Sequence, residues 1–328
     1  MNWVRTWPQR RRDVEKLMLR DRYLGALLGL AVGDALGTTL EFKAPGTFKP
    51  ITDMLGGGPF ALEPGQWTDD TSMALCLAES LIEKRGFDPK DQMDRYCCWW
   101  RERHLSSRGT CFDIGVTVRK SLESYLRSGQ PFAGSTDPFA AGNGSLMRLA
   151  PVPLAFRRNI ALAIHNAGES SRTTHAAPTA VAACCYFAGL LLGALEGRPK
   201  EQLLSSFFYP GPDRDHWHRQ PLPPEIAEIA SGSFKLKEPP EIKGNGFVVR
   251  SLEAALWAFY RSDSFREGAL RAVNLGDDAD TTGAIYGQLA GAYYGANAIP
   301  QDWIERLALR EHVNEKAIAL FDFSNEHR

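Results

Sequence analysis

Two short stretches concentrate the side chains most able to do chemistry. Thr68-Asp69-Asp70-Thr71 follows Pro64-Gly65-Gln66-Trp67 and leads into an apolar helical pattern. Asp277-Asp278-Ala279-Asp280-Thr281-Thr282 follows Gly276 and leads into another. A single Asp or Thr at such a place serves as a helix cap, accepting backbone N–H groups and suiting the helix dipole. One cap needs one such residue, and carboxylates packed together repel one another unless a cation offsets them. Asp and Thr oxygens with no His or Cys beside them suit a hard divalent ion, Mg²⁺ or Mn²⁺. Two such clusters from distant parts of the chain could hold a pair of ions about 3.5–4 Å apart. Taken alone, each cluster is open to both readings, because a DxD pattern is a weak signal. A further acid, Glu41, stands seven residues after Asp34, on the same face if the helix carrying Asp34 continues. The usual fate of a lone acid is a solvated surface.

The elements that must position these residues read as helices. Apolar residues recur at three- and four-residue spacings over Val14 to Gly37, Thr71 to Lys84, Asp91 to His104, Ile114 to Leu126 and Thr174 to Leu195. The same spacing continues over Val249 to Tyr260, Phe265 to Val273, Thr281 to Tyr294 and Trp303 to Phe321. Strand patterns are confined to short pieces at Phe48 to Ile51 and Phe247 to Val249. The expectation is an all-α protein of about a dozen helices.

Two of these helices carry glycine every fourth residue: Gly25, Gly29, Gly33 and Gly37, then Gly283, Gly287, Gly291 and Gly295. Glycine in a helix costs about 1 kcal/mol against alanine. A ridge of it is offset when another backbone approaches closely, so close central packing is expected. Residues 209–246 hold seven prolines, Pro210, Pro212, Pro221, Pro223, Pro224, Pro239 and Pro240, with one short helical piece near Glu225 to Ile229. That composition suits a linker or a long surface excursion.

Composition bounds the function. The chain has 328 residues, 38 Lys plus Arg and 39 Asp plus Glu, a net charge of −1 that argues against general nucleic-acid or membrane-surface binding. The cluster Arg10-Arg11-Arg12 is too short to change this and is assigned to an N-terminal extension, residues 1–15. No apolar stretch follows it, as a secretory signal would require. The apolar run Ala180 to Leu195 falls short of the roughly 18–20 residues of a membrane span. The six cysteines show no C-x-x-C spacing, which suits buried thiols in a reducing cytoplasm.

Six segments in order give the sequence a resemblance to the ADP-ribosylglycohydrolase family, most of all to the bacterial dinitrogenase-reductase-activating glycohydrolase type. They are GLAVGDALGTTLEF (Gly29 to Phe42), GQWTDDTSMAL (Gly65 to Leu75), CFDIGVT (Cys111 to Thr117), GNGSLMRLAPV (Gly142 to Val152), SSRTTHAAP (Ser170 to Pro178) and GDDADTTGAIYGQLAGAYYG (Gly276 to Gly295). The resemblance implies a single compact all-α domain, residues 16–325, with a central dinuclear Mg²⁺ or Mn²⁺ cleft. It implies Thr68, Asp69, Asp70, Asp278, Asp280 and Thr281 as metal ligands, with Asp277 at what is often a glycine position and read as a surface residue. Glu41 matches an acid near the metals and the scissile bond, and Asp113 one placed to meet the ribose next to the leaving group, both as catalytic residues; Asp113 alone would read as a helix N-cap. Gly142, Asn143, Gly144, Ser145 and Met147 match a diphosphate-binding loop, and His175 a position near the phosphates or distal ribose.

Because both acidic clusters must reach the same ions, 209–246 is expected to be an excursion of one domain. The implied reaction is hydrolysis of ADP-ribose from a modified protein side chain, arginine foremost, with ADP-ribose as product. Removal from serine or another acceptor is the alternative reaction. A non-catalytic ADP-ribose-binding protein is the alternative of another class.

Overall fold

The computed structural model describes residues 7–326 apart from 214, with side chains described from Asp13 onward. Among these residues there are fifteen α-helices and no named strand. In chain order they are α1 (Trp7–Gly37), α2 (Asp69–Glu83), α3 (Pro89–Glu102), α4 (Val116–Ser128) and α5 (Pro151–Ala155). Then follow α6 (Ile160–Arg172), α7 (Pro178–Leu195), α8 (Lys200–Leu203), α9 (His216–Arg219) and α10 (Pro224–Ser231). The last are α11 (Val248–Tyr260), α12 (Phe265–Val273), α13 (Ala279–Tyr294), α14 (Gln301–Arg306) and α15 (Arg310–Glu326). The all-α expectation holds. The strand pieces do not form; Phe247 makes only an isolated bridge to Gly142.

The two glycine ridges meet. A Cβ on Gly25, Gly29 or Gly33 would stand 2.2, 2.2 or 2.0 Å from the carbonyl oxygens of Gly291, Gly287 and Gly283. The pairing runs in opposite chain directions, so α1 and α13 are antiparallel and in backbone contact. At the end of the ridge, a Cβ on Gly37 would lie 2.2 Å from Asp280 Cα. The register that buries the glycines therefore brings the last turn of α1 against the first turn of α13. Around this pair pack α2 and α15, which touch each other, and α7, α11 and α12, which also touch one another through α11.

Several boundaries differ from the periodicity, each for a local reason. α4 starts at Val116 with Gly115 as its N-cap, so Asp113 caps nothing and sits in a loop with φ 57°. α7 starts at Pro178, where proline suits the first turn, which leaves Thr174 and His175 in a turn. The single helix expected over Trp303 to Phe321 is broken into α14 and α15. There the Ala308 N–H donates to Gly65 O and its carbonyl accepts from Trp67 Nε1. α6 was not signalled by the pattern reading. The extension expected over 1–15 meets a helix from Trp7 onward, and residues 1–6 lie outside the described residues.

α7 is 18 residues long, two longer than the apolar run suggested, and by length and composition alone could cross a membrane; 78% of it is buried inside the fold. The proline-rich stretch is anchored by buried Trp217, Ile226, Ile229, Phe234 and Ile242. Its end returns to the centre, where Gly244 O accepts from Asp278 N and Gly246 O from Asn143 N.

Candidate active site

The close approach of α1 and α13 gathers carboxylates from five segments. Oxygens of Asp34, Asp70 and Asp280 lie within 4.8 Å of one another, as do those of Glu41, Asp113 and Asp280. Asp69 and Asp278 line the adjoining cleft. The helix carrying Asp34 does not continue to Glu41: α1 ends at Gly37, and turns deliver Glu41 instead.

Asp34, which spacing alone did not single out as part of the site, explains how α2 presents its acids. Its Oδ1 accepts from the Thr68 N–H and hydroxyl at 2.9 and 3.0 Å. Its Oδ2 accepts from the Thr71 N–H and hydroxyl at 3.0 and 2.6 Å. A residue of α1 thus satisfies the orphan donors at the start of α2. Thr68, the N-cap residue, makes no side-chain cap bond, and neither does Asp278 at the start of α13. Capping, the competing reading of both clusters, is therefore not what these carboxylates do.

What remains is negative charge in search of a cation. Asp70 Oδ1, Asp280 Oδ1 and Glu41 Oε2 are buried with no hydrogen-bond partner among the described residues. The other Asp70 oxygen lies 3.0 Å from the Thr68 hydroxyl, whose one proton it shares with Asp34, and accepts from the Thr281 hydroxyl at 3.4 Å. Burial first, then mutual repulsion, pushes Asp69, Asp70 and Asp280 well above the usual carboxylate range. Burial with the charges of Asp113 and Asp278 raises Glu41 to about 10. Burial, with Asp278 next, raises Asp113 to about 7, against its hydrogen bonds with Glu41 and Asp69. Burial lifts Asp34 to about 6, held back by its four donors. Partnerless buried oxygens in a hard-donor set fit a divalent cation. Asp34, with both oxygens saturated, is a positioning residue in this arrangement.

Asp277 is half-buried rather than a plain surface residue, and belongs to neither carboxylate group. It sits at φ 59°, a left-handed geometry that suits glycine and that Asp tolerates. Its backbone donates to Lys43 O and accepts from Phe42 N, which pins the Glu41 turn to the α13 start.

The cleft beside the acids, about 250 Å³, is lined on its far side by Gly142, Asn143, Gly144, Met147 and His175. Asn143 Nδ2 donates to Asp278 Oδ2 at 2.7 Å, joining the two sides. Ser145 departs from expectation: its hydroxyl pairs with Ser171 and receives Cys184 Sγ, away from the cleft. Gln288 of α13 fixes the loop, donating to Met147 O at 2.7 Å and accepting from Ala150 N at 2.8 Å. A larger apolar groove of about 810 Å³ lies elsewhere, and none of the clustered acids lines it.

Arg148 and Thr174 emerge only in three dimensions. The Arg148 guanidinium is fully buried, stacked 4.6 Å over Tyr96, and donates to Gly144 O at 2.9 Å and Thr174 Oγ1 at 2.7 Å. Arginine can only donate, which leaves the Thr174 proton available to His175 Nδ1, 2.9 Å away. With Thr174 as donor, His175 carries its proton on Nε2, facing the cleft. Burial, with Arg148 next, lowers this imidazole to about 3, so it is neutral. Gly142 and Gly144 lie against its Nε2 edge, where a Cβ on Gly144 would be 3.1 Å from Nε2. A buried guanidinium, with no carboxylate pairing it among the described residues, a glycine loop and a neutral N–H donor together suit an anionic ligand.

The comparisons with known proteins agree with this geometry. Residues 15–327 match the ADP-ribosylglycohydrolase family model. The chain is 41% identical to ADP-ribosylarginine hydrolase Tri1 of Serratia proteamaculans, over 99% of this chain and 84% of that protein. It is 33% identical to the ADP-ribosyl-[dinitrogen reductase] glycohydrolase of Rhodospirillum rubrum, over 89% and 92%. A solved structure described as an ADP-ribosylglycohydrolase-related protein complex superposes with TM-score 0.80 at 49% identity, covering 94% of this chain and 99% of that one. With the fold, the acidic centre and nearly the whole length in agreement, the chain belongs to the ADP-ribosylglycohydrolase family.

Proposed function

We propose that this protein hydrolyses ADP-ribose from modified arginine side chains of proteins, using two divalent ions. The observation that carries the reading is the set of buried, partnerless oxygens of Glu41, Asp70 and Asp280 at one side of a cleft suited to a diphosphate on the other. Two ions are supported by the charge gathered there, since burial raises the carboxyls of Asp69, Asp70, Asp278 and Asp280 together. Thr68, Asp69, Asp70, Asp278, Asp280 and Thr281 would hold them, either Mg²⁺ or Mn²⁺. The names of the relatives support arginine as the acceptor. Six free cysteines agree with a reducing, cytoplasmic setting.

Bound divalent ions would orient the ribose hydroxyls and acidify a water. The chain's own residues do the rest. The Gly142–Gly144 loop and His175 Nε2–H bind the diphosphate, which places the ribose against the acids. Glu41 and Asp113, whose oxygens lie within 4.8 Å of each other, hold a shared proton beside the ribose–nitrogen bond. One carboxylate takes the proton of the attacking water while the other supplies the one gained by the departing guanidine nitrogen. Such proton transfer is typically worth 10²–10⁴-fold.

The test is turnover of ADP-ribosylarginine and ADP-ribosylserine peptides with Mg²⁺ or Mn²⁺ and with EDTA. Arginine release that EDTA abolishes is expected. Faster serine release would move the acceptor, and ADP-ribose binding with no release would make this a binding protein.

The His175 tautomer has its own consequence. Thr174→Val removes the hydroxyl that fixes Nδ1 and leaves Arg148 one acceptor short, a loss of about 1–3 kcal/mol. The expected result is KM raised about 10-fold with kcat largely kept, and a mixed tautomer population in ¹⁵N spectra. An Nδ1–H spectrum in wild type would refute the assignment, and a pure Nε2–H spectrum in the variant would show that Thr174 does not fix it.

A further inference from the structure

The rim of the cleft at the Glu41–Asp113 side is aromatic. Phe42 and Phe112 are the chain neighbours of these two acids, and Phe60 joins them. The Phe42 and Phe60 ring centroids are 6.5 Å apart at 72°, and those of Phe60 and Phe112 are 5.2 Å apart at 57°. Phe42 lines the cleft and is 66% exposed. Its ring therefore contributes little to the core. Its backbone is also held at φ 58°, a left-handed geometry unfavourable for a bulky residue, by the 2.6 Å bond from its N–H to Asp277 O. The fold keeps an aromatic ring in the open beside the reacting carboxylates, where a smaller residue would relieve the backbone.

The cluster already engages one guanidinium. Arg108 sits 5.3 Å over the Phe112 ring and donates to Phe60 O at 2.8 Å. The diphosphate loop and His175 occupy the other side of the cleft, so the acceptor of a bound ADP-ribosyl group extends over the Glu41–Asp113 rim. A ribosylated guanidinium there is a delocalised cation facing carboxylates and an aromatic face, the pairing that cation–π attraction and charge complementarity favour.

We propose that Phe42, buttressed by Phe60 and Phe112, is the platform on which the guanidinium of the modified arginine stacks, and that it selects this acceptor. The inference rests on the arginine reading of the acceptor. It assigns Phe42 to the leaving group and gives it no part in holding ADP-ribose.

The experiment compares wild type, Phe42→Ala and Phe42→Trp. Steady-state kinetics on an ADP-ribosylarginine peptide and calorimetric titration with free ADP-ribose are both run in Mg²⁺. Phe42→Ala is expected to raise KM about 3- to 30-fold with ADP-ribose affinity unchanged, and Phe42→Trp to restore KM. An unchanged KM in Phe42→Ala, or an equal weakening of ADP-ribose, overturns the platform while leaving the arginine reading intact. A wild type that does not hydrolyse the arginine peptide overturns both.

Discussion

Asp280→Asn is expected to abolish turnover and, at the same time, to make the metal-free protein more stable. Asp280 is the one carboxylate common to both groups, and its Oδ1 is buried without a partner. Losing an oxygen anion there removes metal-derived stabilisation of several kcal/mol, about 10³-fold or more in rate. The stability effect has the opposite sign. In the folded protein without metal, burial and the charges of Glu41, Asp70 and Asp278 raise Asp280 well above its ordinary value. A group raised on folding contributes stability below its unfolded pKa, and that contribution is lost as pH rises toward the folded one. Wild type without metal therefore weakens from about pH 4 upward, and the asparagine variant escapes its share of that loss.

Calorimetry at pH 5 and pH 8 with and without Mn²⁺ checks this. In wild type, Mn²⁺ should raise Tm more at pH 8, because the ion competes with protons for the same oxygens. In Asp280→Asn the metal-free Tm at pH 8 should be higher and the Mn²⁺ shift small. A variant with wild-type turnover, or one destabilised at pH 8 without metal, would refute the placement of Asp280.

Gly287→Ala is the second large effect, and it runs against helix propensity. Alanine should favour a helix by about 1 kcal/mol. At Gly287, however, the added Cβ would stand 1.9 Å from Gly29 O and 2.4 Å from Gly29 C. Backbone cannot rotate away as a side chain can, so α1 and α13 must separate. The expected loss is about 3 kcal/mol, roughly 5–10 °C in Tm, with activity falling further because the same register brings Asp34 to Asp280. Gly189→Ala in α7 is the control, its nearest neighbour being Pro210 Cδ at an ordinary 3.5 Å. It should be neutral or slightly stabilising. Equal effects at the two positions would show that glycine spacing, rather than backbone contact, is what matters.

These expectations also mark where the sequence was legible. The two acidic clusters stood out because several like charges side by side exceed what a cap needs, and the glycine ridges because a repeated helix penalty demands repayment in close packing. Period-3.6 patterning found most of the long helices, since their burial is one-sided or complete. It failed at Leu307 to Leu309, where a long-range bond to Gly65 breaks the helix, and at Asp113 and Thr174, where turns displace the expected helix starts. Asp34 carried no signal of its own: a single acid within an apolar helix is unremarkable until α2 arrives to be capped. Arg148 and Thr174 were silent for the same reason, the bond that joins them spanning 26 residues of chain.

The residues by themselves determined helical class, the two acidic clusters and the family to which the chain is related, because these follow from residue type and local spacing. Which acids are free to meet a cation, which way His175 presents its proton, why Ser145 turns inward and why Phe42 is held in the open were decided only in the tertiary structure. Each depends on a donor, a charge or a backbone brought in from a distant part of the chain, and such partners exist only once α1 and α13 have closed on one another.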